Sequence, residues 1–136
     1  MAALTQDRNT LRRDGVQIEP PVAGGVRIFT GALVAINAAG LAVPGSTSTT
    51  LVGAGCALAP ADNTLGAAGA LRVRVDRRPA HFANSASADA ITLADIGNDC
   101  FIVDDQTVAK TNGANTRSRA GKVFDVDAYG VWVDFR

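Results

Sequence analysis

The residues able to do chemistry are few. His81 is the one histidine in 136 residues, and Cys56 and Cys100 are the two cysteines. Thirteen acidic side chains include the pair Asp104–Asp105 and the near pair Asp125 and Asp127. A nucleophilic Cys–His dyad would need one thiol to approach His81 across the fold. A glycosidase would need two carboxylates facing each other across a cleft. Neither requirement is met by spacing alone. The aspartates do not follow the alternation of a calcium loop, and no second histidine supports a metal site. Gly24–Gly25, Gly53–Gly55 and Gly66–Gly69 lack the lysine and the helix context of a phosphate loop. The expectation is therefore no catalytic residue, no metal and no cofactor, with function residing in surfaces.

Composition narrows those surfaces. Thirteen cations balance thirteen anions, so the net charge is zero, which argues against direct nucleic-acid binding. Hydrophobic residues at 47% exclude wholesale disorder. A mass of 13.9 kDa corresponds to a folded surface of roughly 6,700 Å², enough for a core without staples. Gly, Pro and Thr interrupt every apolar stretch before it could span a membrane, and two cysteines do not make a secreted disulfide framework. Both are read as buried thiols. The polar run Thr5–Asn9 directly after Leu4 is unlike a signal peptide.

The elements that carry these residues read as short strands. Residues 1–21 read as an extended arm or a frayed terminus, with Arg8, Arg12 and Arg13 among Asp7, Asp14, Asn9 and Thr10, Val16 and Ile18 alternating with polar neighbours, and Pro20–Pro21 ending the run. Residues 22–136 form one β-barrel-like domain. Within it, 26–29, 33–36 and 41–43 follow hairpin grammar, and 51–59 is a glycine-interrupted strand. Leu71, Val73 and Val75 alternate with Arg72, Arg74 and Asp76, predicting a strand with the first three inward. Residues 60–69 read as loop, and 80–100 as irregular. Thr92 caps at most one short helical turn, closed by Gly97. Phe101–Val103 and Val108–Lys110 are short strands around an Asp104–Asp105 turn. Lys122–Val126 pairs with Val131–Phe135, placing Val131, Val133 and Phe135 on one face and Trp132 on the other, as a second-layer core or interface residue. With no 10–15-residue amphipathic helix, the fold class is all-β: a small antiparallel barrel or sandwich with an extended N-terminal arm.

Four stretches carry a family resemblance: Phe82–Thr92, Val103–Thr111, Thr116–Gly121 and Val126–Val133, together with Asp7–Thr10. They resemble head decoration, or capsid cement, proteins of tailed bacteriophages and prophages. The similarity is strongest from 82 to 133 and weak through 46–69. The resemblance implies a non-enzymatic β-rich virion protein on the outer surface of the head, assembled in the bacterial host cytoplasm. Its partners would be the major capsid protein, whose capsomers it clamps, and other copies of itself as a dimer or trimer, with no membrane or nucleic acid. The contact elements would be the arm (Asp7, Arg8, Arg12, Arg13, Val16, Ile18) and Trp132. Alternatives are another virion role, as a head–tail joining or tail-tube subunit, and a small carbohydrate-binding β domain.

Overall fold

A computed structural model describes residues 2–136; Met1 lies outside the described residues. Among the described residues the chain is mostly β, with no long helix. Twelve strands follow in order: β1 (Gln17–Ile18), β2 (Arg27–Ile28), β3 (Leu33–Ile36), β4 (Ala42–Pro44), β5 (Val52–Ala57), β6 (Ala61–Asp62), β7 (Val75–Asp76), β8 (Ala80–Asn84), β9 (Asp99–Ile102), β10 (Thr107–Ala109), β11 (Arg119–Asp127) and β12 (Gly130–Asp134). Two single 3₁₀ turns, Ser87–Asp89 and Leu93–Asp95, lie between β8 and β9. The second follows Thr92 and is closed by Ile96 and Gly97, whose φ is +87°, as the sequence predicts, whereas the first goes beyond the single turn expected.

The C-terminal strands close into a five-stranded barrel, ordered β10-β8-β12-β11-β9. All its pairs are antiparallel except β8 with β10, which runs parallel. Inward alternation fills it with Phe82, Ile102, Val108, Val123, Val131, Val133 and Phe135, all buried. Phe82 and Phe135 meet edge to face, with ring centroids 5.9 Å apart.

The N-terminal strands form a second sheet, ordered β1-β7-β5-β3-β4. β3 is buried on both faces, which explains its unbroken apolar sequence Leu33–Val34–Ala35–Ile36. Leu33 and Ala35 pack into the barrel-side core, whereas Val34 joins a second core containing Val22, Ile28, Val73 and Val75. The two cores thus share one strand. The glycines of β5 have a cause here as well. A Cβ on Gly53 would overlap the carbonyl oxygen of Ala120, so β5 lies against β11 at backbone distance.

The expected arm has two parts. Residues 2–15 are exposed, and none of them lies in a strand. From Val16 onward the chain is paired. Ile18 lies opposite Val75 in β7, the Arg77 N–H donates to Val16 O at 2.8 Å, and the Val73 N–H donates to Pro20 O at 3.1 Å. Pro21 O then accepts from the Ala42 N–H at 2.7 Å, and Val22 bridges Ala42 in parallel. This segment therefore ties the β7 side of the sheet to β4 at the opposite edge, and the sheet curls around the second core. The accessible surface of 8068 Å² exceeds the roughly 6,700 Å² expected for this mass, consistent with the exposed arm.

Several local expectations are corrected. The alternation at 71–76 is strand only at Val75–Asp76, and Leu71 is exposed, because the antiparallel neighbour there is the proline segment and gives just one bridge, Pro21 with Arg72. Residues 60–69 contain β6, which pairs with β2. Residues 80–84 form a full strand between β12 and β10.

Candidate contact surfaces

Asp7, Arg8, Arg12 and Arg13 all lie in the exposed part of the arm, where Leu4 and Leu11 are also uncovered, Leu11 at 89%. Val16 and Ile18 are half-buried at the arm's root, and Ile18 packs against the second core. The structure thus separates the predicted arm residues into a free charged segment and an anchored apolar one. Arg77 holds that anchor from inside. Its guanidinium donates to Ala54 O at 3.1 Å and to Phe135 O at 2.6 Å, joining β5 to the chain end.

Trp132 lies on the outer face of the barrel, directly between His81 of β8 and Asp125 of β11. It is 37% exposed. Its ring meets His81 edge-on at 5.0 Å, and its indole N–H donates to Asp127 Oδ2 at 3.0 Å. Asp127 is the hub. Its Oδ1 accepts the backbone N–H groups of Tyr129 at 2.8 Å and Gly130 at 2.9 Å, and lies 3.1 Å from His81 Nε2. These bonds favour the carboxylate, chiefly that from the Tyr129 amide, then His81 and Trp132, and bring its pKa down to about 2. One side chain therefore shapes the β11–β12 turn and fixes the orientation of both rings.

The same face carries Phe124. A bulge between Val123 and Asp125 shifts the register, so that Phe124 and Asp125 are both exposed instead of alternating in and out. Tyr129, at the turn, is 88% exposed. Of the exposed aromatics Phe29, Phe124, Tyr129 and Trp132, three fall on this one hairpin. Phe29 is stacked by Arg27, whose guanidinium lies 4.7 Å from the ring centroid, and stays exposed beyond that contact.

The reactive residues are dispersed. Cys100 lies inside the barrel, donating to Gly121 O at 3.6 Å, and burial pushes its thiol up to about 11. Cys56, half-buried in β5, is also shifted upward by burial. Both are free thiols. His81 sits outside the barrel wall and is engaged by Asp127 and Trp132. Asp104 accepts the Gln106 N–H at 2.9 Å in its own turn, and Asp125 accepts the Val126 N–H at 2.8 Å. An open depression of about 350 Å³ is lined by Phe29, Thr30, Gly31, Ala32, Asp105 and Gln106. Asp105 is the one carboxylate in it, so no opposed pair forms there. Among the described residues, no cluster of three or more His, Cys, Asp or Glu is placed to hold a metal.

Two features of these surfaces are not legible in sequence spacing. The bulge at Phe124 depends on register with β12, and the hub role of Asp127 depends on His81, 46 residues away. The Asp-x-x-Gly turn at Asp127–Gly130 was the available signal for the second. Comparison with protein-family models, with curated proteins and with solved structures finds no match to this chain.

Proposed function

We propose that this protein is a non-enzymatic structural component of a tailed-phage head, binding the outer surface of the shell and stabilising contacts between capsomers of the major capsid protein. The observation that carries the reading is the arm. Residues 2–15 are free and bear three arginines and two leucines, while the segment that follows is built into a folded core. Such a segment costs entropy to order, and partner contacts must supply the compensation. The resemblance at 82–133 points to the same class. A repeating shell offers many identical sites, so modest contacts per copy become avid. Binding the assembled shell better than free capsomers stabilises it by mass action.

The test is cosedimentation of the purified chain with undecorated heads. The full chain is expected to pellet with heads to a saturable occupancy, and a chain lacking residues 2–14 to lose most of that occupancy while remaining folded. A full chain that leaves the pellet empty would overturn the proposal. Equal occupancy without the arm would overturn the arm's role in it.

A further inference from the structure

The loop between β10 and β11 is wound left-handed. Gly113, Ala114 and Asn115 have φ of +63°, +58° and +65°, and only the first of them is glycine. Non-glycine residues held in this region cluster at functional sites. The turn closes on one side chain and its carbonyl. Asn112 O accepts the N–H groups of Thr116 at 2.9 Å and Arg117 at 3.0 Å. Asn112 Oδ1 accepts the Asn115 N–H at 3.2 Å, and Asn112 Nδ2 donates to Asn115 Oδ1 at 3.0 Å. The next residue has to be glycine, because a Cβ on Gly113 would lie 2.6 Å from Thr116 Oγ1.

From this arrangement we propose that Asn112–Gly113 is a site of self-modification, at which the Gly113 nitrogen closes on the Asn112 side-chain amide to form a succinimide while Thr111 and Asp89 carry away its proton. The chemistry lies within one loop of the chain and stands apart from any contact with a head. Nucleophile, proton path and oxyanion donor are all in place. The Gly113 N–H donates to Thr111 Oγ1 at 3.3 Å, and the Thr111 hydroxyl donates in turn to Asp89 Oδ1 at 2.5 Å. A peptide N–H lies in the plane of its group and attack comes from above that plane, so this bond leaves the nitrogen open. The carbonyl conjugated to that nitrogen is Asn112 O. The two N–H groups on it therefore stabilise the charge that the peptide acquires as its proton leaves. The Asn115 N–H on Oδ1 sits where charge develops on the attacked amide. The Thr111 hydroxyl and then Arg117, whose guanidinium is 3.2 Å from Oδ2, hold Asp89 below the ordinary aspartate value, so it is ionised and can take a proton.

In the ring-closing step the Gly113 proton passes to Thr111 Oγ1 as the Thr111 proton passes to Asp89. A bond forms between the Gly113 nitrogen and Asn112 Cγ, and the carbonyl electron pair moves to Oδ1. That pair then returns and the Cγ–Nδ2 bond breaks. Nδ2 takes a proton from water and leaves as ammonia, and Asp89 gives its proton to the hydroxide left behind. Water later opens the ring at either carbonyl, giving an aspartyl or an isoaspartyl residue at 112. Neither can donate to Asn115 Oδ1 as Nδ2 does, and the isoaspartyl form lengthens the backbone by a methylene, so the left-handed turn loosens.

The chain has zero net charge, and each event adds one negative charge, which isoelectric focusing resolves. The purified full chain is incubated at neutral pH, with peptide mass spectrometry locating the change at 112. The reference is the same chain unfolded in guanidinium chloride at the same pH and temperature. The folded chain is expected to convert about tenfold or more faster than the unfolded one, since a positioned base contributes about 10²–10⁴-fold. Thr111→Val and Asp89→Asn should fall to the unfolded rate. Thr111→Ser keeps the hydroxyl and should stay near the native rate, which separates loss of the proton path from general loosening of the loop. An Asn112 that survives in the folded chain, or converts no faster than in the unfolded one, would overturn the site, because the same bonds would then be protecting it. Unchanged rates in Thr111→Val and Asp89→Asn, or a Thr111→Ser chain as slow as Thr111→Val, would overturn the proton path.

Discussion

Two truncations that differ by seven residues should behave very differently. Removal of residues 2–14 deletes only exposed chain, and surface changes away from packed or bonded features stay within about 0.5 kcal/mol. Removal of residues 2–21 also deletes the segment that curls the second sheet closed. The Arg77 and Val73 amides lose Val16 O and Pro20 O, the Ala42 amide loses Pro21 O, and Ile18 leaves the second core. Each backbone bond contributes about 0.5–1.5 kcal/mol net, and more when a buried donor is left unpaired. Half-burial of Ile18 adds about 1 kcal/mol. The loss is therefore about 3–5 kcal/mol, a large part of the roughly 7–20 kcal/mol expected for a domain of this length. At about 4 °C per kcal/mol, the melting midpoint should fall by about 12–20 °C. Thermal and urea unfolding followed by circular dichroism would measure both proteins. Equal stability of the two truncations, or a loss of more than a few degrees with residues 2–14 alone, would refute the division of the arm at Gly15.

Acid should release the β11–β12 turn only well below the ordinary aspartate range. The folded pKa of Asp127, about 2, lies below the ordinary 3.8, so its stabilisation is complete above about pH 4 and disappears as pH falls through about 2. Trp132 emission should titrate in that window in the native protein, and Asp127→Asn should shift the emission at pH 7 and flatten the titration; identical curves would contradict the hub. Neighbouring residues of β12 should respond in opposite ways to truncation. Val133→Ala, inside the barrel, should cost about 2–3 kcal/mol, whereas Trp132→Ala, on the outer face, should cost about 1 kcal/mol. Urea midpoints of the two variants check this, and a Trp132 loss equal to that of Val133 would mean that the indole is a core residue.

Where the pattern along the chain is local, the sequence is a good guide. The hairpin at 122–135 is readable because Val131, Val133 and Phe135 alternate strictly with Trp132 and Asp134, and all three are buried. The turn at Thr92–Gly97 is readable because a cap and a left-handed glycine bracket it. Strands whose reason for forming lies far along the chain are not. Ala80–Asn84 has one core residue, Phe82, and is a strand because β12 and β10 pair with it on both sides. The anchored part of the arm escapes for the same reason, since Ile18 finds its partner at Val75. For the candidate surfaces, the exposure of the arm follows from its charges, and the outward side of Trp132 from alternation. The position of Phe124 beside Asp125 does not, because one bulge reverses the parity of everything beyond it.

The anchoring of the arm also limits how it can act. Ordering one residue costs about 1–2 kcal/mol of backbone entropy, so fixing all of residues 2–14 would cost well over 10 kcal/mol before side chains are counted. Two leucines and three arginines cannot offset that, because a fully buried leucine contributes about 1.5–3 kcal/mol and a guanidinium on an aromatic ring about 0.5–2 kcal/mol. A short contact close to the root comes nearer to balance. Leu11, Arg12 and Arg13 lie within five residues of Val16, where the chain is already held by Arg77. Ordering Leu11–Gly15 costs about 5–10 kcal/mol, against about 2.5–7 kcal/mol from one buried leucine and two stacked arginines, so one arm comes close to balance without exceeding it. One arm is then a weak ligand, and strength must come from many copies on one surface. An isolated copy that bound tightly through its arm alone would contradict this balance. It follows that substitutions at Leu11–Arg13 should weaken binding more than those at Leu4 or Asp7, a ranking that cosedimentation with undecorated heads can measure directly.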